Sequence, residues 1–135
     1  MGKREEGEKG KEDVEKLIKR VIGCCIRVHS ELGPGFLESA YHRALELELA
    51  EEGIPFETQK EMRLSYRGHF IGEHHLDLFI DGMLVVELKT VENIGRDHYA
   101  QVKSYLKAIE QRVGLLVNFA GFRVDVRRVE LKVIE

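Results

Sequence analysis

Between residues 74 and 90 the chain reads HHLDLFIDGMLVVELKT, and Asp77, Glu87 and Lys89 are the side chains in it that could do chemistry. In an extended strand successive side chains alternate faces, so Glu87 and Lys89 point one way while Leu84, Val86 and Leu88 point the other. In the strand before them, Leu76, Leu78 and Ile80 are expected on one face, with Asp77 and Phe79 on the opposite one. The register of the hairpin then decides what meets what. A two-residue Asp81-Gly82 turn would pair Ile80 with Met83 and turn Asp77 toward the aliphatic face. A shift by one residue gathers all six aliphatics and puts Asp77 beside Glu87 and Lys89. Burial specifies register more strongly than turn preference, so a three-residue loop or a bulge near Gly82 is expected. Two carboxylates on adjacent strands repel unless a cation lies between them. A hard divalent ion, Mg²⁺ or Mn²⁺, suits such a pair, and a neighbouring lysine could orient a water or stabilise charge growing on a phosphate. The plainer alternative is a solvated cross-strand salt bridge.

The elements that must position these residues follow from periodicity. Residues 1–12 are charges and glycines with no apolar side chain after Met1, and are expected to be a disordered charged tail. Domain 13–135 then begins at Asp13, a plausible N-cap. Val14, Leu17, Ile18, Val21, Ile22, Cys25 and Val28 follow at helical spacing until Gly33-Pro34. A second helix runs from about Phe36 to Gly53. Strands are expected near 55–66, 69–80 and 84–90, a third helix at 96–111, and strands at 113–119 and 122–133. The order is α-α-β-β-β-α-β-β, a single α/β domain. Val124 and Val126 precede Val129, Leu131 and Val133, a break in alternation that suggests a bulge near Arg127-Arg128.

Composition removes several classes. At 135 residues, 43% apolar and 33% charged, the chain can bury about two thirds of its surface in one core. It has no apolar run long enough to span a bilayer, and no apolar signal core follows Met1. Adjacent Cys24 and Cys25 cannot build a disulfide framework. A cytoplasmic protein without a membrane partner is expected. The net charge of −3 leaves a nucleic-acid partner open without announcing one.

Asp77 followed by Glu87-Leu88-Lys89 resembles the D…(D/E)-x-K signature of the PD-(D/E)XK nuclease superfamily. Gly35-Phe36-Leu37-Glu38-Ser39-Ala40-Tyr41 resembles the G-x-x-E-x-x-Y motif that names the GxxExxY branch of that superfamily. The likeness extends from about Val21 to Leu131 and includes element order. It implies a restriction-endonuclease-like fold, a central mixed β-sheet flanked by helices. It implies catalytic roles for Asp77, Glu87 and Lys89, and metal ligation by Asp77, Glu87, Glu38 and the carbonyl of Leu88. Gln101 and Tyr105 repeat the Q-x-x-x-Y spacing of exonuclease branches and share one helical face. Leu76 stands where the superfamily's name has proline, a position that shapes backbone and carries no chemistry.

Each residue also has a plainer role. Glu38 would lie near N3 if Gly35 capped its helix, where a glutamate favours the helix dipole. Tyr41 reads as a packed residue whose hydroxyl braces the site, and Gln101 with Tyr105 as a surface pair. His75, on the face expected for Asp77, is a candidate for the surroundings of the site. Cys25 and His29 have i, i+4 spacing but no second pair to complete a zinc site, so a buried thiol and a core or surface histidine are expected. Arg123, Arg127, Arg128 and Lys132, with Arg96, Lys103 and Lys107, offer phosphate contacts or simply solvate the surface. The leading expectation is an Mg²⁺- or Mn²⁺-dependent nuclease acting on nucleic acid, DNA first. The alternatives are a module that keeps the fold for nucleic-acid or protein recognition, as a homodimer or with a partner protein supplying specificity, and a hydrolase of another phosphorylated substrate.

Overall fold

The computed structural model describes residues 6–132, with side chains described from Asp13 onward. Eight elements follow in the expected order. These are α1 (Glu6–Leu32), α2 (Glu38–Glu51), β1 (Phe56–Tyr66), β2 (His69–Ile80), β3 (Leu84–Lys89), α3 (Arg96–Ala108), β4 (Val113–Asn118) and β5 (Asp125–Glu130). α1 begins ahead of the Asp13 cap that periodicity suggests. Of the expected tail, residues 1–5 lie outside the described residues. Among the described residues no helix is long and apolar enough to cross a membrane.

The five strands form one mixed sheet in the order β1-β2-β3-β4-β5. β3 and β4 are parallel, as a crossover through α3 requires, and the other pairs are antiparallel. Helices cover both faces. On one, Leu17, Val21 and Val28 of α1 and Tyr41, Leu45 and Leu49 of α2 pack on Leu78, Ile80, Leu84, Val86, Leu88, Leu115 and Val117. On the other, Val102, Tyr105 and Leu106 of α3 pack on Phe79, Val85, Leu116 and Val129. Each of these large apolar side chains contributes about 1.5–3 kcal/mol by leaving water. A sheet buried on both faces explains why Leu84–Val86 of β3 and Leu115–Val117 of β4 are apolar at every position.

The β2–β3 hairpin has the register that burial demands. Ile80 pairs with Leu84, Phe79 with Val85 and Leu78 with Val86, which leaves Asp81, Gly82 and Met83 as a three-residue loop. One aliphatic departs from the expected face. Leu78 faces α1 and α2, but Leu76 faces α3 with Met62. The partner strand changes face at the same level. Thr58, opposite Leu78, bonds His42 and Glu46 of α2, while Lys60, opposite Leu76, lies over the Phe79 ring on the α3 side. Gln59, between them, has φ of 49°, and that left-handed residue breaks the alternation. The ribbon therefore turns over at the level of Asp77.

The bulge expected near Arg127-Arg128 is absent, because β4 and β5 pair without a shift from Val113↔Glu130 to Asn118↔Asp125. Val124 and Val126 pack toward α1 while Val129 and Leu131 pack toward α3. The change in apolar parity marks a change of helical layer on a regular strand.

Candidate active site

The turnover at Asp77 determines the local chemistry. The β2–β3 ladder stops at Leu78↔Val86, one step short of the level at which Asp77 would face Glu87. Side chains take over there. The Asp77 N–H donates to Glu87 Oε1 at 3.1 Å, and the Leu88 N–H donates to Asp77 Oδ2 at 2.8 Å. Each carboxylate thus accepts from the opposing strand's backbone, where a ladder would have used a carbonyl. The strands are held apart and both acids are held in the gap.

Glu87 is 4% exposed. Burial pushes its carboxyl well above the usual carboxylate range. The negative charge of Asp77 pushes in the same direction, and Lys89 only partly offsets them. Lys89 lies two residues along the same strand and donates from Nζ to Gln101 Oε1 of α3 at 3.1 Å. Tyr105, one helical turn beyond Gln101, is buried, and its ring stacks on His74 with centroids 4.4 Å apart. Its phenol is raised by burial first and then by the charges of Glu87 and Asp77. Thus Asp77, Glu87, Lys89, Gln101 and Tyr105 come together where the splayed hairpin meets α3.

Glu38 approaches from the other layer. α2 starts at Glu38 with Leu37 as N-cap, so Glu38 is the first helical residue and not N3. Burial raises its carboxyl, Asp77 adds to that, and Lys89 and His42 oppose it. It shares an electrostatic neighbourhood with the strand acids, yet among the described residues no three His, Cys, Asp or Glu side chains converge as a ready metal cage.

Tyr41 does not face the acids. Its hydroxyl donates to the Gly33 carbonyl at 2.6 Å and accepts from the Phe36 N–H at 3.2 Å, and its ring stacks on Phe119 at 4.6 Å. It ties down the turn that delivers Glu38. Gly35 within that turn has φ of 108°, a conformation that strains any residue with a Cβ. His75 is exposed opposite Glu61, because the turnover leaves His74 rather than His75 on the α3 side.

Asn118 was not legible as part of this region. It is buried at the end of β4, beside Lys89. Its Oδ1 accepts from the N–H groups of Val91 and Ala120, and its Nδ2 donates to the Val91 carbonyl at 2.8 Å. It clamps the chain leaving Lys89. The one available signal was rarity, since only Asn93 and Asn118 are asparagines.

The remaining expected alternatives are structural. Cys25 is buried, which pushes its thiol up to about 12, and His29 Nε2 bonds the Gly121 carbonyl at 2.8 Å. Arg127 is occupied by Asp125 and Tyr99, and Arg128 by Glu15 and Glu130.

Comparison with known proteins agrees with this geometry. Residues 15–129 match the model of the PD-(D/E)XK nuclease superfamily. No curated protein matches the chain significantly. Among solved structures, the crystal structure of SSO0001 aligns with a TM-score of 0.57 at 21% identity, over 72% of this chain and 52% of that one. The chain therefore spans about half the length of that neighbour, and the likeness is one of fold.

Proposed function

The chain belongs to the PD-(D/E)XK nuclease superfamily, and on that premise we propose that it is a divalent-metal-dependent nuclease that hydrolyses phosphodiester bonds in DNA. The observation that carries this reading is the pair of half-buried Asp77 and buried Glu87, held in a strand gap with Lys89 alongside. The Gly35–Tyr41 motif, with Glu38 entering the same electrostatic neighbourhood, supports placing the chain in the GxxExxY branch.

The donor set suits Mg²⁺ or Mn²⁺. Such an ion is bound through one or two carboxylates and keeps several waters, so it needs no cage of three or four side chains. Asp77, Glu87 and the Leu88 carbonyl would hold it, and Glu38 would complete the acidic pocket. When bound, the ion neutralises charge on the phosphate and lowers the pKa of an attacking water. Lys89, aimed by Gln101, contributes a fixed positive charge for the negative charge that develops on the phosphate oxygens, and orients the water. Tyr105 closes the α3 side and keeps Glu87 out of bulk solvent.

The test is cleavage of labelled single- and double-stranded DNA and RNA with Mg²⁺ or Mn²⁺, with Asp77→Ala prepared in parallel as the control for contaminants. Metal-dependent cleavage of DNA that vanishes in Asp77→Ala is the expected result. A folded wild type that cuts nothing and binds no Mn²⁺ would move the reading to a recognition module on a nuclease fold.

A further inference from the structure

The β1–β2 ribbon runs well past the sheet. Only Leu78–Ile80 of β2 pair with β3, so the ribbon from about 60 to 76 is two strands wide with both outer edges open. A two-stranded ribbon has little stability by itself, and this one displays apolar side chains at its tip. Tyr66 is 60% exposed, Phe70 54% and Ile71 63%, with Leu64 beside them. The tip closes through Arg67-Gly68, both at positive φ (48° and 80°), as a two-residue hairpin turn needs.

Charge and geometry decide what such a tip fits. Residues 62–72 include Arg63, Arg67 and His69 and no carboxylate, on a chain whose net charge is −3. The Arg63 guanidinium lies 4.2 Å from the Phe70 ring centroid, and that of Arg67 lies 5.4 Å from Tyr66. Leu64 and Tyr66 share the face of Met62, whereas Arg63 and Phe70 are on the other, so aromatic and cationic groups occur on both sides. Arg63 also reaches Glu61 at 3.6 Å, an exposed pair worth about 0–1 kcal/mol and readily exchanged. A second copy of the chain would bring like charges together at this tip. A flat protein surface would cover one face and leave the other wet. A nucleic-acid groove has two anionic walls, admits a two-stranded β-ribbon, and would cover both faces at once.

We propose that this ribbon inserts into a groove of the duplex flanking the cut, with Arg63 and Arg67 on the phosphates and Tyr66 and Phe70 against the groove walls. The inference rests on the nuclease reading and adds the element that grips the substrate. Asp77 and Phe70 are on the same strand, and 77 − 70 is seven residues. At about 3.3 Å per residue that is about 23 Å, or six to seven base pairs at about 3.4 Å each.

The test is fluorescence anisotropy on labelled duplexes with Mg²⁺, in a Lys89→Met background so that binding is read without turnover. Arg63→Ala/Arg67→Ala should lower the slope of log affinity against log salt by about two. Tyr66→Ala/Phe70→Ala should weaken binding at least tenfold at an unchanged slope. All four substituted side chains are exposed, and thermal melts matching the parent verify folding. Trimming the duplex to three base pairs beyond the cut on the ribbon side should cost the parent the same affinity and leave the variants indifferent. Variants that bind like the parent, while wild type cuts DNA, overturn the ribbon alone. A shift from dimer to monomer in the variants without a change in slope reassigns the ribbon to self-association. A parent that binds no nucleic acid at any salt overturns both the ribbon and the nuclease reading.

Discussion

Glu87 and Asn118 are both buried polar residues near the ends of neighbouring parallel strands, yet they are balanced in opposite ways. Asn118 has three hydrogen bonds to backbone groups of the chain around it, which pair both ends of its amide. Glu87 accepts a bond from the Asp77 N–H but shares its gap with the Asp77 carboxylate, and its own carboxyl is raised in consequence. Burying a polar group is tolerated when its bonds are satisfied. Burying a second like charge beside the first is not, unless a cation arrives or one carboxyl takes up a proton. Satisfied polarity therefore marks the clamp, and unbalanced charge marks the proposed site. His29, the third buried polar residue among the described residues, belongs with Asn118: it bonds the Gly121 carbonyl and stacks on Phe119.

The comparison can be broken in four ways. The largest effect is expected for Lys89→Met, which removes the positive charge from the unbalanced side. Single-turnover cleavage should fall by about 10²–10³-fold with an unchanged melting temperature, and retained activity would remove Lys89 from the mechanism. Asn118→Ala strikes the balanced side. Urea unfolding should show a loss of about 2–3 kcal/mol as buried backbone groups lose their partner. Gln101→Ala releases Lys89 Nζ from its aim, and a fall in kcat of about tenfold with unchanged KM is expected, equivalent to about 1.4 kcal/mol.

The smallest effect concerns pH. Because Glu87 is raised in the folded state, the metal-free protein favours its neutral carboxyl. That stabilisation is complete below the ordinary carboxylate value and is lost as pH climbs through neutrality toward the raised one. Melting temperature without metal should accordingly fall between pH 5 and pH 8. Glu87→Gln should flatten the dependence. A metal-free wild type that grows more stable across that interval would contradict the charge imbalance.

Much of this architecture was legible in advance, for reasons that also explain the misses. The element order followed from the change of apolar period after Gly53, and the hairpin register followed from gathering Leu78, Ile80, Leu84 and Val86 on one side. Alternation says which residues are buried but not which of two helical layers buries them. Leu76 and the apolar residues of β5 were therefore misplaced, one hidden by the left-handed Gln59 and the others by a regular strand serving two cores. His74 displaced His75 on the α3 side for the same reason. Asn118 was missed because Val91, which takes two of its three bonds, becomes a neighbour only through the β3–β4 pairing.

The most direct test of the account is a Mn²⁺ titration by calorimetry on wild type, Asp77→Ala and Asn118→Ala. Wild type and Asn118→Ala should bind Mn²⁺ and gain thermal stability from it, about 2.7 kcal/mol at a hundredfold excess over Kd, while Asp77→Ala should show neither. Equal Mn²⁺ affinity in wild type and Asp77→Ala would contradict the claim that the unbalanced carboxylate pair is the metal centre.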